Sequence, residues 1–79
     1  MILPRNVTAL EFRRALEKYG FKQTKKRGGH LVFRHPDGRR VILSYHKATD
    51  TFPPKTLKAM IENAKWDYND LLRLQLISE

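Results

Sequence analysis

Seventy-nine residues, 41% of them hydrophobic and 30% charged, suit one small globular domain with a single modest core and exclude a multidomain enzyme. The chain has no cysteine, which rules out a disulfide scaffold and a cysteine nucleophile and leaves only His and carboxylates for any zinc site. Sixteen Lys and Arg against eight Asp and Glu give a net charge of +8; no apolar run is long enough to span a membrane and no secretory start is visible, so a cytoplasmic protein is expected.

Residues 1–7 read as an extended lead-in, with Pro4 biasing Leu3 away from helix. Thr8-Ala9-Leu10-Glu11 has the spacing of a capping box, and Leu10, Phe12, Ala15, Leu16 and Tyr19 recur near helical period until Gly20. An amphipathic helix over about 8–19 follows. Phe21–Arg27 and His30–His35 read as strands separated by Gly28-Gly29, and Arg39–Tyr45 as a third strand after the Pro36-Asp37-Gly38 turn. Residues 46–53 are a loop. Pro54 opens a second helix with Leu57, Met60, Ile61 and Ala64 as its apolar stripe, and Asp67 caps a short last helix with Asp70 at its third position. One domain over 1–79 is expected, with its core over about 3–64 and a helical extension over about 65–79. The fold class is α+β, two-layer, α-β-β-β-α, with a three-stranded antiparallel sheet, helices on one face and a short C-terminal helix.

The second turn decides which residues share a face. A two-residue Asp37-Gly38 loop would pair Phe33 with Ile42 and set Arg34 beside Val41. A three-residue loop, with Gly38 in a left-handed bulge position, pairs Phe33 with Val41 and separates polar from apolar side chains. Leu31, Phe33, Val41, Leu43 and Tyr45 then cover the core. His30, Val32, Arg34, Arg40, Ile42, Ser44 and His46 form an open face.

The positive charge is concentrated. Residues 22–47 hold eight Lys or Arg against one acid, Asp37, whereas the chain from Asp50 onward is near neutral. A clustered basic patch attracts phosphate backbones, although a solvated basic face or an acidic protein partner fits the same composition.

His30 follows two glycines and lies beside Lys25, Lys26 and Arg27, so backbone amides, positive charge and an imidazole come together. RNA cleavage needs a base for the 2′-hydroxyl, an acid for the leaving oxygen and cations for the charged phosphorane, and histidine can serve either proton step. The position equally suits a strand-start histidine with no ligand. His46, beside Lys47, is a second proton-transfer group, a phosphate contact or a plain loop histidine; His35 falls on the core side. No carboxylate accompanies His30 and His46, so no metal site is expected, and no phosphate-binding loop or dinucleotide fingerprint implies a cofactor.

These segments together resemble the HicA, or YcfA-like, toxin family over about Leu3 to Ala64. Leu3-Pro4-Arg5 resembles its opening, Leu16-Glu17-Lys18-Tyr19-Gly20-Phe21 its Leu-x-x-x-Gly-Phe step, and Arg27-Gly28-Gly29-His30 its Gly-Ser-His signature, with Gly29 where the family often has Ser. His35-Pro36-Asp37-Gly38-Arg39 resembles the hairpin turn, His46 the histidine after strand three, and Pro54-x-Thr56-Leu57 followed by Ile61 the opening of the last family helix. The resemblance implies a double-stranded-RNA-binding-domain-like fold and mRNA cleavage by the toxin of a type II pair, without cofactor or metal. It also implies a HicB-type antitoxin as partner and His30 as the catalytic histidine. With it, the site reads as His30 with His46 as acid, and an RNA-binding set of Lys25, Lys26, Arg27, Gly28, Gly29, Arg34, Arg40 and Lys47. The alternative is a non-catalytic RNA-binding module of the same fold.

Overall fold

A computed structural model of the chain describes residues 4, 6–28 and 30–77; Leu3 and Arg5 of the opening motif, and Gly29, lie outside the described residues. The elements run α1 (Ala9–Tyr19), β1 (Lys22–Arg27), β2 (His30–Arg34), β3 (Arg40–Ser44), α2 (Pro54–Ala64) and α3 (Tyr68–Arg73). This is the expected α-β-β-β-α order with a short final helix, and the class is α+β.

The Thr8 capping box forms as its spacing predicts. Glu11 N–H donates to Thr8 Oγ1 at 3.2 Å and Thr8 N–H to Glu11 Oε1 at 3.1 Å. The next two orphan amides of the first turn are satisfied from elsewhere. Ala9 N–H donates to the Asp50 carbonyl at 2.8 Å and Leu10 N–H to that of Ala48 at 3.0 Å. The loop after β3 is thereby fastened to the start of α1. At the other end Gly20 takes φ +120°, where a Cβ would lie 3.3 Å from His35 Nε2.

The sheet is antiparallel in the order β1-β2-β3. Phe33 pairs with Val41, so the three-residue loop is the one adopted. Gly38 N–H closes it by donating to the His35 carbonyl at 2.9 Å. Leu31, Phe33, Val41 and Leu43 are buried under α1 and α2, which contribute Phe12, Leu16, Leu57, Met60 and Ile61. Side chains of this kind stabilise by about 1.5–3 kcal/mol each when fully buried.

The segment after α2 completes this core. Lys65 turns the chain in the left-handed region at φ +57°. That drops Trp66, 3% exposed, between Phe12, Tyr19 and Phe21, with ring centres 5.4, 5.7 and 6.1 Å away. Asp67 and Asp70 form the second capping box, and α3 adds Leu71 to the core, with Leu74 just beyond it.

Two neighbouring arginines have opposite fates, because alternation sends them to opposite faces. Arg39 turns toward the helices. It donates to the Ala64 carbonyl at 2.6 Å and to Asp37 at 2.8 Å, and its guanidinium carbon lies 4.9 Å from the centre of the Tyr19 ring. It thus ties the β2–β3 turn to the ends of α1 and α2. Arg39 beside Asp37 holds that carboxyl down at about 2. Arg40 points to the open face and is exposed.

Candidate nucleic-acid interface

The strand register arranges the open face in three rows across the sheet. Arg27, His30 and Ser44 form the first, Lys25, Val32 and Ile42 the second, and Lys22, Arg34 and Arg40 the third. Five cations therefore share one face, and no strand position on it is acidic. Among the described residues, none of these five makes an ion pair, whereas Arg39 and Arg73 do. Unpaired, exposed cations are free to meet phosphates. His30 sits between Arg27 and Ser44, its Nε2 3.5 Å from Ser44 Oγ. Ile42, 44% exposed, leaves an apolar strip between the charged rows.

A β-bulge determines which lysines belong to this face. The ladder pairs Gln23 with Phe33 but Lys25 with Val32, so Thr24 is the extra residue. Its hydroxyl donates to the Val32 carbonyl at 3.4 Å. Past the bulge the alternation is reversed. Lys25 and Arg27 turn to the open face, while Lys26 pairs with Leu31 on the helix side. The expected cluster Lys25-Lys26-Arg27 is therefore divided between two faces.

His46 also departs from the expected arrangement. β3 ends at Ser44, so the alternation that would have placed His46 beside His30 stops before reaching it. Instead His46 lines a cleft of about 430 Å³ on the helix side, at the same end of the sheet as His30. Gln23, Lys26 and Leu31 line it from the strands, Gly28 from the β1–β2 turn, and Arg13 from α1. Tyr45, just before His46, completes it. The two histidines thus sit near one sheet end on opposite faces, with the Gly28 turn between them.

The loop holding His46 is organised by a carboxylate that sequence reasoning missed. Asp50 accepts from the His46 N–H at 3.1 Å and the Lys47 N–H at 2.9 Å. These two amides hold the Asp50 carboxyl below its ordinary value. Its own carbonyl anchors α1, as described above. The cue was present as an acid three and four residues after two loop amides, a local side-chain-to-backbone pattern open to Asp. Arg13 and Gln23 were missed because each lies on an element read only for its strand or helix period.

Lys47 is exposed on the same loop and Gly28 lies in the β1–β2 turn at φ +59°. Among the described residues, no group of three or more His, Asp or Glu is placed to hold a metal ion. Nor is any helix among them long and apolar enough to cross a membrane.

The sequence model of a known family, described as "HicA toxin of bacterial toxin-antitoxin", matches residues 10–66, more than two thirds of the chain. The match runs from α1 through the whole sheet to Trp66 and so contains both histidines, the basic rows and the cleft. A search of curated proteins finds no match. One half of a toxin–antitoxin pair implies an antitoxin as its partner. On the family match, together with the α-β-β-β-α fold, the chain belongs to the HicA toxin family.

Proposed function

We propose that the protein is an endoribonuclease that cleaves mRNA in the cytoplasm, needs no metal, and is held inactive by a HicB-type antitoxin. The observation that carries this reading is the first row of the open face. One histidine, flanked by Arg27 and Ser44, stands on a surface of cations that, among the described residues, are unpaired and accompanied by no carboxylate. Such a surface binds a phosphate backbone, and a hard divalent cation would find no carboxylate ligand at its strand positions.

In this mechanism Lys25, Arg27, Arg34 and Arg40 hold the RNA backbone across the sheet. His30 takes the proton of a ribose 2′-hydroxyl. The 2′-oxygen forms a bond to the adjacent phosphorus, the bond from phosphorus to the 5′-oxygen breaks, and the departing oxygen receives a proton. Solvent water is the candidate donor of that proton, because His46, the expected acid, stands on the other face of the sheet from His30. Where the strand passes the β1–β2 turn, Gly28, Lys26, His46 and Lys47 are the further backbone contacts. The products are a 2′,3′-cyclic phosphate and a 5′-hydroxyl. Arg27 is placed to stabilise charge on the phosphorane.

The test is incubation of the purified protein with end-labelled mRNA in EDTA. Fragments ending in 2′,3′-cyclic phosphate, whose appearance stops when an acidic HicB-type partner is added, support the reading. Tight, salt-sensitive binding with the RNA left intact would replace it with the binding-module alternative. Because backbone contacts dominate, cleavage is expected at many sites; a map confined to one fixed motif would contradict that expectation.

A further inference from the structure

We propose that the cleft on the helix side of the sheet is a pocket for one nucleotide, receiving the splayed base of single-stranded RNA where the strand turns off the open face. The proposal rests on the RNA-binding reading above and adds a site to it.

Size is the first argument. A cleft of about 430 Å³ lies within the range of small-ligand pockets, roughly 300–1,000 Å³, and far below what a helix or a duplex requires. The second is chemistry. Single-stranded RNA is recognised by stacking unstacked bases on aromatic rings and hydrogen-bonding their edges. Tyr45 supplies a ring and Gln23 an amide with one donor end and one acceptor end. Arg13 and Lys26 supply positive charge for the adjoining phosphate. Arg13 is only loosely held: its partner Glu17 is 3.6 Å away, and the two side chains are 41% and 54% exposed. Among the described residues, no carboxylate lines the cleft.

Position is the third argument. Gly28 forms the rim, and with no Cβ it lets a backbone cross closely from the His30 row to the cleft. The bulge at Thr24 is the fourth. It keeps Gln23 on the helix side and brings Lys26 there as well, while sending Lys25 to the open face. Without it, strict alternation would turn Lys26 away from the cleft. Bulges recur beside functional sites because they re-aim side chains in this way.

The experiment uses the isotope-labelled full chain and two probes, a non-cleavable 2′-O-methyl octanucleotide and inorganic phosphate. Binding affinity is then measured for Gln23→Ala, Tyr45→Leu and, as an open-face reference, Arg34→Gln. The octanucleotide is expected to move the amide signals of Gln23, Lys26, Gly28 and Tyr45, and phosphate alone to leave them in place. Tyr45→Leu should weaken binding about tenfold, the scale of one lost base stack, without changing the salt dependence. Gln23→Ala, at an exposed position, should weaken it severalfold and guards against misfolding of the Tyr45 variant. Signal changes confined to the open face, with both cleft variants binding like wild type while Arg34→Gln weakens, would overturn the pocket and leave the RNA reading standing. Equal movement with phosphate alone would overturn the base pocket in favour of a simple anion site. Failure of every variant and the wild type to bind RNA would overturn both.

Discussion

Arg39 and Arg40 are adjacent in sequence and chemically identical, yet the fold turns them to opposite faces, and two substitutions can distinguish the consequences. Arg39→Met keeps the aliphatic stem and removes the guanidinium. The buried-side bond to the Ala64 carbonyl at 2.6 Å is a charged hydrogen bond, of a kind that contributes about 1.5–3 kcal/mol. The contact with the Tyr19 ring adds about 0.5–1 kcal/mol. The Asp37 bond adds little, because that carboxylate is 46% exposed and solvent screens the pair. The sum, about 2–4 kcal/mol, lowers the melting temperature of a domain this size by roughly 10–25 °C. Arg40→Met should leave stability within about 0.5 kcal/mol, since the residue is exposed and unpaired among the described residues. Its effect falls on RNA: loss of one phosphate contact lowers the log–log salt slope for single-stranded RNA by about 0.7. Thermal unfolding followed by circular dichroism, and fluorescence anisotropy with labelled RNA across 50–200 mM salt, read the two effects. The reasoning fails if Arg40→Met destabilises as much as Arg39→Met. It also fails if folded Arg39→Met changes the salt slope as much as its neighbour does.

Three further outcomes follow from individual contacts. Asp37 has its carboxyl held at about 2 against an ordinary 3.8, so its contribution is fully present above about 3.8 and is lost as pH falls through about 2. Acid unfolding of Asp37→Asn should therefore diverge from wild type above that window and converge below it; parallel curves throughout would count against the pairing. Asp50→Ala should free the loop carrying His46 and Lys47 and weaken binding of non-cleavable RNA severalfold; unchanged affinity would show that the loop need not be held. Truncation after Ala64 removes Trp66, Leu71 and Leu74 from the core and should abolish cooperative unfolding, since a single buried Trp to Ala change already costs about 3–5 kcal/mol. Trp66→Phe should be much milder, because the indole N–H is buried without a hydrogen-bond partner among the described residues. A folded truncation would show the last helix to be an appendage.

Much of the fold was legible because local chemistry and burial agree. Thr8 with Glu11 and Asp67 with Asp70 announced two helix starts, Gly20 a helix end, and Pro36-Asp37-Gly38 the loop that pairs Phe33 with Val41. That pairing alone placed His30, Arg34 and Arg40 on the open face. The bulge was illegible because β1 is exposed at every position and so shows no apolar alternation to break. Without it, alternation turns Lys25 toward the helices and Lys26 to the open face, the reverse of what is found. His46 was misplaced because alternation was carried two residues beyond the end of β3. Trp66 followed a left-handed turn at Lys65, a conformation that lysine does not advertise, so nothing local showed that the chain re-enters the core. Arg39 looked like one more member of the basic cluster. Its partners, Ala64 and Tyr19, are distant in sequence and meet it only through the fold.

The central claim is that His30 takes the proton in a cleavage for which the surrounding cations hold the RNA and Arg27 steadies the developing charge. The most direct measurement compares wild type and His30→Ala on the same labelled mRNA in EDTA, scoring binding and cleavage separately, with circular dichroism to confirm that both are folded. The account predicts that the variant binds within a few-fold of wild type and does not cut, while wild type produces cyclic-phosphate ends. Cleavage by the variant at the wild-type rate would contradict it.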